Sequence, residues 1–106
     1  MVVISDQLQN TISSLIEAEL ANNATTGEID TMTVRWFKEQ LIACDEILVN
    51  LHGGIQTTGW TVTKADESYQ VVYLPEKECF SLCVTSALGP IDIGVHGRAL
   101  HCFAAV

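Results

Sequence analysis

Cysteine and histidine carry most of the chemistry available to this chain: Cys44, Cys79, Cys83 and Cys102, with His52, His96 and His101. Both are zinc-ligand types, and a thiol beside an imidazole makes a nucleophile with its base. Spacing argues against either use. Cys79 and Cys83 are four apart in a segment that alternates as a strand, which separates them by about 13 Å on one face. Two sulfurs that each need about 2.3 Å to one ion are out of reach at that distance. His96 and His101 are five apart and face opposite ways in an unbroken strand, as do the neighbours His101 and Cys102. No CxxC pair repairs this, so the expectation is no metal and no cofactor, with ligands from adjacent strands the one remaining route to a structural ion. Asp92 is a candidate orienting carboxylate for His96 or His101 beside Cys79, Cys83 or Cys102. No basic cluster is present to lower a thiol pKa, however, and unpaired cysteines ordinarily behave as small core hydrophobes.

The glycine-rich segments offer less. His52-Gly53-Gly54 lacks a GxSxG partner and reads as a helix terminus with His near its negative end. Gly94-Val95-His96-Gly97 fits neither GxGxxG nor a phosphate loop and reads as a bulge or bend. Asp45-Glu46 and Asp66-Glu67 lack calcium-loop spacing and read as solvated pairs. Arg98, the one base after Lys77, suits an anion contact or a plain surface ion pair. By residue type, a ligand pocket is expected among Trp60, Tyr73, His96, Arg98 and His101.

The elements that would position these residues follow from periodicity. Leu8, Ile12, Leu15 with Ile16, and Leu20 predict a first helix from a Ser5 or Asp6 cap to about Asn22. Asp30 is the expected cap of a second helix, with Ile29 and Val34 at the ends of a hydrophobic staple. Thr25 with Glu28 is a rival, earlier start. Apolar residues at Val34, Phe37, Leu41, Cys44, Leu48 and Leu51 extend that helix to about Leu51, where Gly53 or Gly54 closes it. Trp36 lies off this stripe. The stripe is shorter than three heptads, so packing on a sheet is expected rather than a coiled coil.

The second half reads as strands: Trp60–Thr63, Tyr69–Leu74 ended by Pro75, Cys79–Thr85, Ile91–His96, and a last one over Arg98–Phe103. Short links favour antiparallel hairpins. The expected fold is therefore a single α+β domain over residues 1–106, with two N-terminal helices packed on one face of a four- to five-stranded, mainly antiparallel sheet. Trp60, Val62, Phe80, Leu82, Val84, Ile91, Ile93 and Val95 are the candidates for the covered face.

Composition limits the function. The charge is −8, and residues 1–53 hold eight acids and two bases against five and three in residues 54–106. Such a surface repels phosphate backbones, so no nucleic acid is expected as partner. No apolar run reaches membrane-span length, and the start has no basic region of a signal peptide; a cytoplasmic, non-membrane protein is expected. With 48% hydrophobic and 17% charged residues, the chain holds more apolar material than one covered sheet face uses. The reverse face (Tyr69, Val71 and Tyr73, or Val72 and Leu74) must be buried by curling of the sheet, by a ligand or by a second copy. The leading reading is a non-catalytic protein-interaction module that self-associates as a homodimer through that face. A small-ligand-binding regulatory domain comes second. A small enzyme using Cys or His comes third, so the sequence does not decide whether the chain is an enzyme.

Overall fold

A computed structural model of the chain describes residues 4–65 and 68–105; the Asp66-Glu67 pair lies outside them. The described residues form helices α1 (Ile4–Thr26), α2 (Thr31–Gln40) and α3 (Ala99–Ala104) and strands β1 (Glu46–Asn50), β2 (Gln56–Thr61), β3 (Tyr69–Leu74), β4 (Cys79–Val84) and β5 (Ile91–Gly97). The strands pair in sequence order and close into a barrel.

Helix α1 carries Leu8, Ile12, Ile16 and Leu20 at a strict spacing of four, and this row packs on the core while Leu15 stays exposed. Ser5 and Asp6 are already helical, and their side chains lie outside the described set. Helix α2 starts as expected. The Asp30 carboxylate accepts from the Thr33 N–H at 3.0 Å and from the Thr33 hydroxyl at 2.6 Å, and these bonds hold its pKa below the usual value. Ile29 and Val34 both pack against the core, in keeping with a staple.

The end of α2 differs from expectation. It stops at Gln40, eleven residues short of Leu51, because Leu41 turns extended and bridges Thr63. The Ile42 N–H then bonds the Val62 carbonyl at 3.0 Å instead of continuing the helix. Ile47, Val49 and Leu51 alternate at a spacing of two, and that period prevails: Val49 is fully buried on β1, whereas Leu48, a member of the helical stripe, is 57% exposed. Gly53 and Gly54, both with φ of 78°, close the β1–β2 hairpin rather than a helix. A second correction falls on Arg98–Phe103, which is a short helix and not a strand. The Glu19 carboxylate of α1 fixes its start, accepting from the Ala99 and Leu100 N–H groups at 3.0 and 2.9 Å.

The open sheet covered on one face is likewise overturned. Val71, Tyr73, Phe80, Leu82, Trp60 and Val62 point outward under the three helices, and Ile12, Ile16, Phe37, Leu100 and Cys102 complete that core. Val49, Val72, Leu74 and Cys83 form a second core inside the barrel. Curling therefore buries Val72 and Leu74 within one chain, and the reverse face needs no second copy to cover it. Ile91 and Ile93, assigned to the helix-covered face, are 37% and 45% exposed instead.

Closure is narrow. Strand β1 meets β5 in parallel at a single residue pair, Asn50 with Ile91. Asn50 clasps the seam: its backbone N–H donates to the Pro90 carbonyl at 2.9 Å, and its side-chain amide donates to the Leu88 carbonyl at 3.0 Å and accepts from Gln56 at 2.9 Å. Beyond that pair β5 continues beside β4 alone, so the barrel wall splays open.

Candidate functional site

The splayed wall leaves a cleft of about 620 Å³ at the barrel mouth. Leu51, Ile55 and Ile93 supply its aliphatic surface, and His52, Lys77, Asp92 and His96 its polar rim.

Asp92 and His96 are brought together by a bulge. Four residues of regular strand span about 13 Å, yet the His96 Nε2 lies 2.8 Å from the Asp92 carboxylate. The β4–β5 register shifts between Leu82 and Cys83, which leaves Ile93 and Gly94 unpaired. Gly94 takes φ of 84°, a conformation that suits glycine, and its N–H bonds the Asp92 side chain at 3.0 Å. The reading of this glycine as a bulge marker holds. Asp92 also accepts from the fully buried Ser81 hydroxyl at 2.8 Å. Burial raises the Asp92 pKa, but the Gly94 N–H, His96 and Ser81 outweigh it and bring the net shift below the ordinary value. The carboxylate is therefore ionised at neutral pH and accepts only, which places the proton of His96 on Nε2.

Lys77 reaches the rim from a tight turn. Pro75 presets the backbone, the Lys77 N–H bonds the Leu74 carbonyl at 3.2 Å, and Glu78 takes φ of 49° to return the chain into β4. His52 stands on the turn that follows β1. Neither Lys77 nor His52 forms an ion pair among the described residues.

The five residues expected to form a pocket do not converge. Trp60 and Tyr73 are core, 6% and 5% exposed, with Tyr73 edge-on to Phe80 at 5.0 Å. Arg98 and His101 meet elsewhere, over Glu28 beside α3: the His101 Nε2 is 3.0 Å and the Arg98 guanidinium 3.9 Å from its carboxylate. This is the surface ion pair weighed for Arg98. Only His96 lines the mouth. Sequence reasoning missed Lys77, Leu51 and Ile55 as site residues, and nothing short of the hairpin topology joins them to β5. A second, smaller cavity of about 110 Å³ lies beside Trp36, Gln70 and Phe103, a volume that holds a few waters.

Catalysis by cysteine finds no support in the geometry. Burial pushes the Cys83 thiol up to about 11 and the Cys102 thiol up to about 12, and it also raises Cys44 and Cys79. Cys83 touches Ser81 at 3.8 Å and no imidazole. Because the native state holds these protons more tightly than the unfolded one, the associated stability is complete below the ordinary thiol value of 9.0 and declines as pH rises through 11 and 12. Urea unfolding between pH 8 and 11 is expected to show this loss, with a shallower slope in Cys102→Ala; iodoacetamide at pH 8 is expected to label Cys83 and Cys102 only after unfolding. Fast labelling of either in the folded protein contradicts the assignment.

Among the described residues, no three His, Cys, Asp or Glu side chains gather into a metal-ligand set, and no helix is long and apolar enough to cross a membrane. Comparison with family models, with curated proteins and with solved structures found no match.

Proposed function

We propose that this chain is a small-ligand-binding domain of regulatory rather than catalytic kind, with its site at the barrel mouth. The observation that carries this reading is the cleft of about 620 Å³ in the splayed β1–β5 wall, where three aliphatic side chains meet a polar rim. That volume falls in the range of small-molecule sites, which combine an apolar lining with few polar groups. His96 in the cleft is tied to a carboxylate with no nucleophile in line, so binding accounts for the arrangement without a reaction.

One observation favours a second reading, self-association. Leu48, Leu88 and Ile91 are 57%, 84% and 37% exposed around the seam, and apolar patches of this kind commonly mark interfaces.

A methyl-labelled NMR titration separates the two. Ligand binding is expected to shift Leu51, Ile55 and Ile93 saturably when a library of small amphiphiles is added. Self-association shifts Leu48, Leu88 and Ile91 on raising the protein concentration alone. Silence of the first group across the library contradicts the binding proposal.

A further inference from the structure

Resting on the mouth as a ligand site, we infer that its ligand class is an aliphatic monocarboxylate. The inference starts from hydrogen-bond supply. Asp92, the one acidic side chain in the cleft, already accepts from His96, Ser81 and Gly94, and its side chain is only 8% exposed. Its charge faces three donors and has little surface left to offer a ligand. The groups with unspent capacity are the Lys77 ammonium, the His52 ring and Nδ1 of His96. Lysine donates only, and the His52 ring has one N–H to donate, whereas Nδ1 of His96, with the ring proton on Nε2, is left as an acceptor. A ligand that satisfies Lys77 must therefore bring an acceptor.

Charge then narrows the class. The chain has five Lys and Arg residues against thirteen acids, yet one lysine and two of its three histidines surround this one cleft. The local field thus departs from the acidic whole. It departs only modestly, because Lys77 is the one fixed cation there and the ionised Asp92 lines the same cleft. A net charge of −8 opposes a dianion such as a phosphate monoester more strongly than a single carboxylate. The rest of the ligand meets Leu51, Ile55 and Ile93. Ile55 and Ile93 are 62% and 45% exposed, so an aliphatic tail laid across them removes apolar surface from water on both sides.

Polarity in the cleft also sets the orientation. The head lies toward Lys77, and the tail along Leu51, Ile55 and Ile93. Nothing in this arrangement requires bond making: the carboxylate is held, not activated.

The test uses three probes with the same eight-carbon tail, octanoate, 1-octanol and octylamine, titrated into the full chain at neutral pH. Calorimetry gives affinity, and methyl resonances of Leu51, Ile55 and Ile93 report the place. Octanoate is expected to bind at the mouth about tenfold tighter than octanol, a ratio equal to one well-placed charged contact, and octylamine more weakly than either. Lys77→Met retains the aliphatic stem on an exposed turn and is expected to bring octanoate down to the level of octanol. Circular dichroism of that variant confirms that the fold is retained. If octanol and octanoate bind the mouth equally, the carboxylate inference falls while the binding site stands. An octanoate preference that survives Lys77→Met also overturns the inference. If none of the three probes moves the mouth resonances, the inference falls, and the ligand-site reading falls with it only when the wider library of small amphiphiles is silent as well.

Discussion

Truncating Phe37 to alanine is expected to lower stability by about 3–5 kcal/mol, the cost of removing a large aromatic ring from a packed core. In a domain of this size each kcal/mol moves the melting temperature by roughly 4–8 °C, so a fall of about 12–40 °C follows. Phe37 is 1% exposed and stands at the junction of α2, α3 and the barrel. Its ring meets Phe103 of α3 edge-on at 5.3 Å. No neighbouring side chain replaces what it fills, because the residues around it are held by strand pairing beneath and by α3 beside. Trp36 provides the control. It touches the same Phe103 at 5.4 Å but is 57% exposed, so Trp36→Ala removes mainly an edge contact worth about 0.5–1.5 kcal/mol. Thermal melts of the two variants side by side decide the matter. If Phe37→Ala costs no more than Trp36→Ala, α2 is not docked on the barrel through this face.

The difference between those neighbours was legible in the sequence, since the helical stripe includes Phe37 and omits Trp36. Asp30 as a cap, the span Tyr69–Leu74 and the opening of β4 at Cys79 were legible for the same reason: each rests on local chemistry or on a period maintained over several residues. The stretch Cys44–Leu51 was not, because it satisfies two periods at once. Cys44, Leu48 and Leu51 fit a helix, Ile47, Val49 and Leu51 fit a strand, and only the partner strand β2 decides between them. Arg98–Phe103 failed differently. Six residues with apolar side chains on both sides suit either element, and the Glu19 carboxylate, eighty positions away from Ala99, settles it as a helix.

The candidate site depended on the same long-range information. Asp92 and His96 were visible as a carboxylate and a base, but a regular strand holds them apart until the Ile93–Gly94 bulge shortens the path. The barrel interior was hidden by its own composition. Gln70 and Ser81 are 6% and 0% exposed, and Thr57 and Thr61 are also buried, yet polar side chains do not read as core. Val72 and Leu74 then looked like a surplus awaiting a partner. Once they lie inside a barrel, attention moves from a flat reverse face to the place where the wall fails to meet.

That closure makes its own strong demand at Gly59. Placing a side chain there is expected to destabilise the protein by about 1–3 kcal/mol for alanine, and by more for valine, as overpacking does in a filled interior. A Cβ on Gly59 falls 2.7 Å from the Val49 Cγ2, 3.3 Å from the Tyr73 carbonyl oxygen and 3.4 Å from the Leu74 Cδ2. Val49 and Leu74 are both fully buried, so neither methyl group has solvent to retreat into. Glycine at this position is what lets β1 and β3 approach across a small, tightly curled wall. An open sheet with a bare reverse face predicts the opposite, because an added methyl group there meets only water. A double-mutant cycle separates the two. Val49→Ala alone leaves a cavity, but combined with Gly59→Ala it makes room for the new methyl group. The pair is therefore expected to be more stable than the sum of its singles by about 0.5–3 kcal/mol, the range seen for residues in contact. Urea unfolding of the four proteins measures that coupling. Strict additivity removes the contact between β1 and Gly59, and with it the closed interior on which the shape of the mouth depends.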